Sequence, residues 1–492
     1  MSVAECDVVV VGSGPNGLAA AVTLARAGLS VVVLEAQPEP GGGSRTASLG
    51  LADGVVHDVC SAVHPMGVAS PFFQEFDLAA RGVELLQPEV QFAQPLDGGR
   101  AGLAYRDVDR TADGLGRDGN AWRSLVGALA DSPDAVIALA LGDKRSVPAP
   151  VLRDLVGAAR FGLAVAEQGT PAWGARFRDD VAPALLTGVA AHAISPLPTP
   201  AAAGTALLLG SLAHSYGWPL PRGGSGSIVA ALVADLVAHG GEIRTSTTVA
   251  SMRDVPEARA YVFDTTPRVA AAVLGDRLPA RARRALLAFR YGDGAAKVDF
   301  VLDGPVPWAH PGVRQAGTVH VGGSRRDMAQ AEAEVARGVH AERPMVLVSD
   351  PSVVDPGRVV GGLRPLWTYA HVPAGSTVDA TEAITAQIER FAPGFRDVVV
   401  TSRSVTAAQM HRHNANYIGG DIASGAVNLW QMFARPTARL DPYATGAAGA
   451  YLCSSSTPPG PGVHGLGGWY AAARVLRDRF GIREVPSVAP GA

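Results

Sequence analysis

The chain of 492 residues is poor in the residues that would tie it to several large protein classes. It has three cysteines, Cys6, Cys60 and Cys453, which form no CxxC pair and leave an odd number. That excludes a disulfide framework and a paired-cysteine zinc site, and it points to a reducing, cytoplasmic compartment. Charged residues are 18% of the total and the formal net charge is -3, so no basic surface for nucleic acid is expected. No HExxH, carboxylate–histidine spacing, GxSxG elbow or Ser/His/Asp set occurs, and no metal is expected. The N-terminus has no basic n-region or small-residue cleavage site, so no signal peptide is expected. No apolar run reaches the roughly 20 residues of a spanning helix. The nearest, AAAGTALLLGSLA at 201–213, reads as a buried core helix, with a peripheral, interfacial membrane contact as the alternative.

What is present is length and apolar mass. A chain this long is expected to form two or more domains, and with 47% hydrophobic residues it can enclose a large cofactor. Its strongest local pattern comes first. DVVVV at 7–11 runs into GSGPNG at 12–17, then LAAAVTLARAG, then SVVVLEA at 30–36: strand, glycine turn, helix, strand. Gly12 permits the tight turn, Gly14 lets the backbone approach a pyrophosphate, and Gly17 lets the helix lie against the strand. Ser13, Pro15 and Asn16 complete the loop, whose free N–H groups sit at a helix start and favour phosphate. Glu35, with Ala36 beside it, closes the second strand 18 residues beyond Gly17, where a carboxylate can accept from both ribose hydroxyls. These elements in register predict dinucleotide binding.

The stretch AQPEPGGGSRT at 36–46 selects among dinucleotides. It resembles the second glycine turn of flavoproteins of the glutathione-reductase and amine-oxidase type, which implies a non-covalent FAD lined by Gly42, Gly43, Ser44 and Arg45. Mid-chain, PRGGSGSI opens an amphipathic helix ended by Gly240 and Gly241, and a strand pair that includes Val249 is expected to follow. By the same resemblance Val249 lies against the adenine. The cofactor domain is then discontinuous.

These segments, with RFAPGFRD at 390–397, HNANYIGGDIASG at 413–425 and YLCSSSTPPGPGVHGLGG at 451–468, resemble the phytoene desaturase-related FAD-dependent oxidoreductases end to end. The resemblance is to the phytoene dehydrogenase-like subgroup, akin to pyridine nucleotide-disulphide oxidoreductase domain-containing protein 2. It implies an α/β fold: a Rossmann-type FAD domain (1–75, 216–290 and 435–492) and an α+β substrate domain with a mixed sheet (76–215 and 291–434). It also implies hydride transfer from an apolar, polyene- or lipid-like small molecule to flavin, with oxygen or a quinone as electron acceptor. The chain reads STPPGPGVHG where true bacterial phytoene desaturases typically read GTHPGAGIPG, which argues against a carotenoid assignment. Ser455 replaces an aspartate typical of amine oxidases.

The substrate side carries little chemistry beyond its histidines, as expected where a cofactor does the hard step. The candidates are His413, Asn414, Asn416 and Tyr417 before a Gly-Gly-Asp turn, then Trp430, Gln431 and Arg435. In the last glycine loop, Ser455, Gly462, Val463 and His464 are placed near the flavin, with His464, His413 and Tyr417 as catalytic candidates. The helix after that loop directs its positive end at the reduced flavin. The tail at 484–492 is expected to fray. Two alternatives share the site or the fold: a flavin-dependent isomerase or saturase, and a non-catalytic lipid carrier resembling Rab escort and GDP-dissociation-inhibitor proteins.

Overall fold

The computed structural model describes residues 5–143 and 148–491. The apolar stretch CDVVVV forms the strand Cys6–Val11, between Val31–Leu34 and Ala258–Phe263 in parallel register. Glu242–Arg244 and Ala450–Leu452 extend this sheet at its two edges, giving five parallel strands. A parallel sheet is covered on both faces, so two of its inner strands, Cys6–Val11 and Val31–Leu34, carry unbroken valine runs, and Val8 through Val11 are all buried.

The helix Pro15–Arg26 begins at the end of the first strand with proline in its first turn, and residues 16–25 are buried. A helix buried all round must pack on every face. This one lies against the sheet and against the helices Gly226–Ala238 and Leu466–Val475. Its crossing with the last helix is so close that a Cβ on Gly468 would overlap the carbonyl oxygen of Asn16. The glycines at 465–468 therefore serve helix packing as well as the loop before them.

A second, mixed sheet has seven strands, in the order Val399–Val405, Gly294–Leu302, Arg364–Val372, Val346–Ser349, Thr318–Val321, Val90–Leu96 and Arg100–Tyr105. Only Thr318–Val321 and Val90–Leu96 run parallel; the other neighbours are antiparallel. The strands of the first sheet all fall within 1–75, 216–290 and 435–492, and those of the second within 76–215 and 291–434. The expected architecture, a Rossmann-like domain joined to a mixed-sheet domain, is what forms.

The apolar segment near residue 200 is the helix Pro200–Ser215, with 201–204 and 206–214 buried. It is a core helix, and an interfacial contact through this segment is ruled out by its burial. Among the described residues no single helix is long and apolar enough to cross a membrane.

Two local expectations fail. Val249 is in no strand: after Arg244 the chain turns at Ser246, whose φ is +52°, and the N–H groups of Ser246 and Thr247 donate to Gln37 O and Glu35 O at 2.9 and 2.8 Å. The segment caps the sheet edge instead of pairing along it. Nor does the tail fray through its length. Val488 is buried, and its carbonyl accepts from Arg81 Nη2 at 3.0 Å while that of Ala489 accepts from Arg26 Nη1 at 3.0 Å. Both guanidinium groups are fixed by Asp235, at 2.7 Å from Arg26 and 2.5 Å from Arg81. Removing one partner of a buried ion cluster leaves unpaired charge and costs about 3 kcal/mol. Asp235→Ala is accordingly expected to lower unfolding stability by that order in urea titration and to expose residues 484–491 to carboxypeptidase. Wild-type resistance in the variant would show that the tail is held by other contacts.

Candidate functional site

A cavity of about 800 Å³ runs from the first sheet to the second. At one end the loop of residues 12–16 lines it, at the C-terminal edge of the parallel sheet, where ligands of such sheets bind. Glu35 closes that end. Its Oε2 accepts from Ser13 N at 2.9 Å and Ser13 Oγ at 2.5 Å, and its Oε1 accepts from Gln37 N at 2.8 Å. Ala36, Thr247, Thr248 and Val249 line the same end. Val249 thus reaches its expected place without the expected strand.

Gly42, Gly43 and Ser44 also line the cavity, and Arg45 stands behind them. Arg45 donates from Nε to Gly42 O at 2.9 Å and from Nη2 to His413 O at 2.6 Å, clamping the second glycine loop to the 413–417 segment. Contact there is tight: a Cβ on Gly43 would overlap the Tyr417 hydroxyl. His413, Asn414, Asn416 and Tyr417 all line the cavity. Asn416 is a tether, accepting from Thr266 N at 2.9 Å and donating to Asp264 O at 3.1 Å. His413 has its ring edge-on to Tyr417 at 5.6 Å, and burial, with Arg45 next, pulls its pKa down to about 4. It is neutral at pH 7, and its buried Nε2 has no protein partner.

From the last loop Ser455, Gly462 and Val463 line the cavity, but His464 does not. It is fully buried beneath the loop, where Nε2 donates to Gly460 O at 3.1 Å and Nδ1 accepts from Leu466 N at 3.1 Å. Burial lowers its pKa to about 4, so it is a neutral loop staple with both nitrogens in use. A catalytic or cofactor-lining role for it is not supported. Trp430 points outward and does not line the cavity, and Gln431 is spent on backbone, bonding Arg290 N, Arg290 O and Ala426 O. Arg435 does line it, donating to Gly425 O at 2.8 Å, with burial lowering its pKa to about 10 and Asp421 supporting its charge.

Two lining residues, Cys60 and Asp264, carry roles the sequence did not disclose. Cys60 and Tyr417 are hydrogen-bonded side chain to side chain, and burial pushes both pKa values up, so both remain protonated at neutral pH. Asp264 ends the strand Ala258–Phe263 directly beneath the first turn and accepts from Gly17 N at 3.0 Å. Side chains on Gly14 or Gly17 would run into it. The only signal in the sequence was an acid at the end of an apolar strand.

The arrangement fits a dinucleotide. The cradle is bounded by backbone that a Cβ would block, and Asn16 Oδ1, like His413 Nε2, is a buried polar atom left without a protein partner. Burial pushes Asp264 up to about 7, with Glu35 adding to the rise and the N–H groups of Gly17 and Gly14 opposing it. A pyrophosphate in the same cradle would raise it further, because like charges disfavour ionisation. Affinity for an added dinucleotide is therefore expected to fall as pH rises through about 7, with a proton taken up on binding above that pH. Apo stability has the same sign: the folded pKa lies above the ordinary 3.8, so this contribution is full at low pH and lost as pH rises through about 7. Asp264→Asn should flatten both profiles; calorimetry in buffers of different ionisation enthalpy reads the proton directly.

Comparison with known proteins agrees with this geometry. Residues 10–76 match the family described as NAD(P)-binding Rossmann-like domain. The chain is 26% identical to pyridine nucleotide-disulfide oxidoreductase domain-containing protein 2 of Rattus norvegicus over 96% of this chain and 94% of that one. It is 30% identical to a limonene dehydrogenase component of Castellaniella defragrans over 23% of this chain and 20% of that one. Wild-type putrescine oxidase bound to putrescine superposes with a TM-score of 0.58 at 18% identity, covering 97% of this chain and 99% of that one. From end to end, then, the chain is similar to pyridine nucleotide-disulfide oxidoreductase domain-containing protein 2 and shares its fold with putrescine oxidase.

Proposed function

We propose that the protein is an FAD-dependent dehydrogenase that takes hydride from a C–H bond of an apolar, unsaturated or lipid-like small molecule. One observation carries the substrate side of this reading. The only carboxylates lining the cavity among the described residues are Glu35, committed to Ser13 and Gln37, and Asp264, beneath the glycine turn. No carboxylate remains to pair with an ammonium group. The remaining walls carry Leu139, Phe161, Val165, Leu208 and Met432, a lining suited to hydrocarbon. The resemblance to a component of a limonene dehydrogenase supports the same substrate class, since limonene is an apolar alkene.

The two glycine loops and Glu35 would hold FAD, and Arg45 would keep the loop at 42–44 against the segment 413–417. When bound, FAD would supply a ring able to take up a hydride, that is one proton with two electrons, and oxygen or a quinone would be the final acceptor of those electrons. The chain itself excludes water and places neutral polar groups at the reacting centre. Tyr417 remains a protonated donor, and the unpartnered His413 Nε2 is the free acceptor for a proton released from substrate.

Protein purified and incubated with FAD is expected to be yellow, and its flavin to bleach anaerobically with terpenes, polyenes or unsaturated acyl compounds but not with amines. A protein that stays colourless, yet binds prenyl lipid, would instead be a carrier. Isomerised or saturated product without net bleaching would reassign the reaction. His413→Gln should keep the yellow colour and slow anaerobic bleaching by about a hundredfold. In the wild type, the rate should fall as pH drops through about 4, where the ring becomes charged. An unchanged rate in the variant would remove His413 from the chemistry.

A further inference from the structure

We propose that the mouth of the cavity is a docking surface for an anionic lipid bilayer, built from the helices Leu155–Gln168 and Leu429–Phe433. Fourteen large apolar side chains are markedly exposed among the described residues, and nine of them lie within 152–163 and 429–440. Scattered exposed leucines are ordinary on a protein surface; a cluster around one opening is not.

The helix Leu155–Gln168 has an inner face that lines the cavity with Ala158, Phe161 and Val165. Its outer face carries Leu155, Val156 and Leu163, the last 72% exposed. A surface helix between a core and water should be polar outside, whereas one apolar on both faces suits a second apolar phase. Across the opening, Leu429, Met432 and Phe433 line the cavity and are exposed as well, which makes them its rim. The two helices are neighbours: Val165 and Met432 both lie within 4.0 Å of where a Cβ on Gly204 would stand. Trp430, 70% exposed, projects from the same rim, and indole is a side chain that favours the headgroup layer.

Charge selects the occupant. Arg153, Arg160 and Arg439 are exposed beside these apolar groups. The acids on the same elements are engaged, Asp154 by the N–H of Gly157 at 2.8 Å and Glu167 by Arg176. Asp154 keeps its charge and is offset by Arg160, Glu167 is offset by Arg176, and Arg153 and Arg439 leave a net positive charge facing outward, which complements anionic headgroups. A protein seated here would plug the cavity, whereas a bilayer can supply apolar molecules to it. That last step rests on the proposed function; the docking surface does not.

The test is cosedimentation of the full-length, FAD-incubated protein with phosphatidylcholine vesicles, with and without phosphatidylglycerol. The wild type should sediment with the phosphatidylglycerol vesicles and far less with phosphatidylcholine alone. Trp430→Ser with Leu163→Ser, neither of which lines the cavity, should weaken partitioning roughly tenfold or more while leaving the near-ultraviolet circular dichroism and flavin content unchanged. Arg153→Gln with Arg160→Gln should abolish the preference for phosphatidylglycerol. Failure of the wild type to bind any vesicle, or binding that both double variants keep, would overturn the proposal. So would a wild-type dimer in sedimentation velocity that the Trp430 and Leu163 double variant dissolves. Vesicle binding by a protein that takes up no FAD would uphold this surface and sink the proposed chemistry, so the two readings fail separately.

Discussion

The structure depends on one crowded place where side chains are missing. The first strand ends, the first helix begins, Asp264 ends its own strand beneath them, and the last helix crosses at Gly468 against Asn16 O. Each approach is closer than a Cβ would allow. Because backbone meets backbone there, the N–H groups of the turn are taken up by close neighbours, Gly12 N by Leu34 O, Ser13 N by Glu35 and Gly17 N by Asp264, and the same contact brings residues more than 400 positions apart into one core. The hydrogen bonds spread outward from it. Gly17 N donates to Asp264, Asn416 bonds Asp264 O and Thr266 N, and Arg45 joins the second glycine loop to the carbonyl of His413. Four segments distant in sequence thus share one bonded frame around a single cavity.

Burial then sets the charge state of that frame. It moves acids and bases toward neutrality alike: His413 and His464 down to about 4, His192 to about 3, and Cys60 and Tyr417 upward. At neutral pH these groups carry no charge, and the buried basic nitrogen left without a protein partner among them is His413 Nε2. This is a setting in which the protein positions and excludes water while a cofactor supplies the reactivity. Arg435 follows the same trend, lowered to about 10 by burial, but it keeps its charge at neutral pH with Asp421 supporting it.

The cofactor end was legible in the sequence because its rules are local. A glycine turn between strand and helix, and an acid at a fixed distance, describe contacts made within about 30 residues, and they find Gly12, Gly14, Gly17 and Glu35 directly. The 413–417 segment was legible for a related reason, since polar residues beside glycines mark a tight loop. What escaped depends on the third dimension. His464 is expected from the sequence near the flavin, yet its two nitrogens are consumed by Gly460 and Leu466 in that loop's own turn. Trp430 and Gln431 are adjacent in sequence but face opposite ways on a single helical turn, one into solvent and the other onto the backbone at 290. Asp264 lies 247 residues from the glycine whose N–H it accepts. The docked tail needed two arginines and an aspartate from three separate elements.

Putrescine oxidase shares this fold at 18% identity, which shows how weakly the architecture constrains what is oxidised. The distinction lies in how the walls are divided. The seven-stranded sheet contributes Thr318, Ser349, Trp367 and Tyr369 to the cavity, and the helices contribute Phe161, Val165, Leu208, Met432 and Phe433. The sheet wall can offer hydrogen bonds; Trp367 Nε1 and Thr318 Oγ1 are buried there without a protein partner. The helical wall offers almost none and opens at a rim that is itself apolar. A molecule entering past that rim would meet hydrocarbon first and polar groups only beneath. On the proposed reading, such an order of contacts suits a long apolar body with at most one polar end better than a short diamine that must be held by charge.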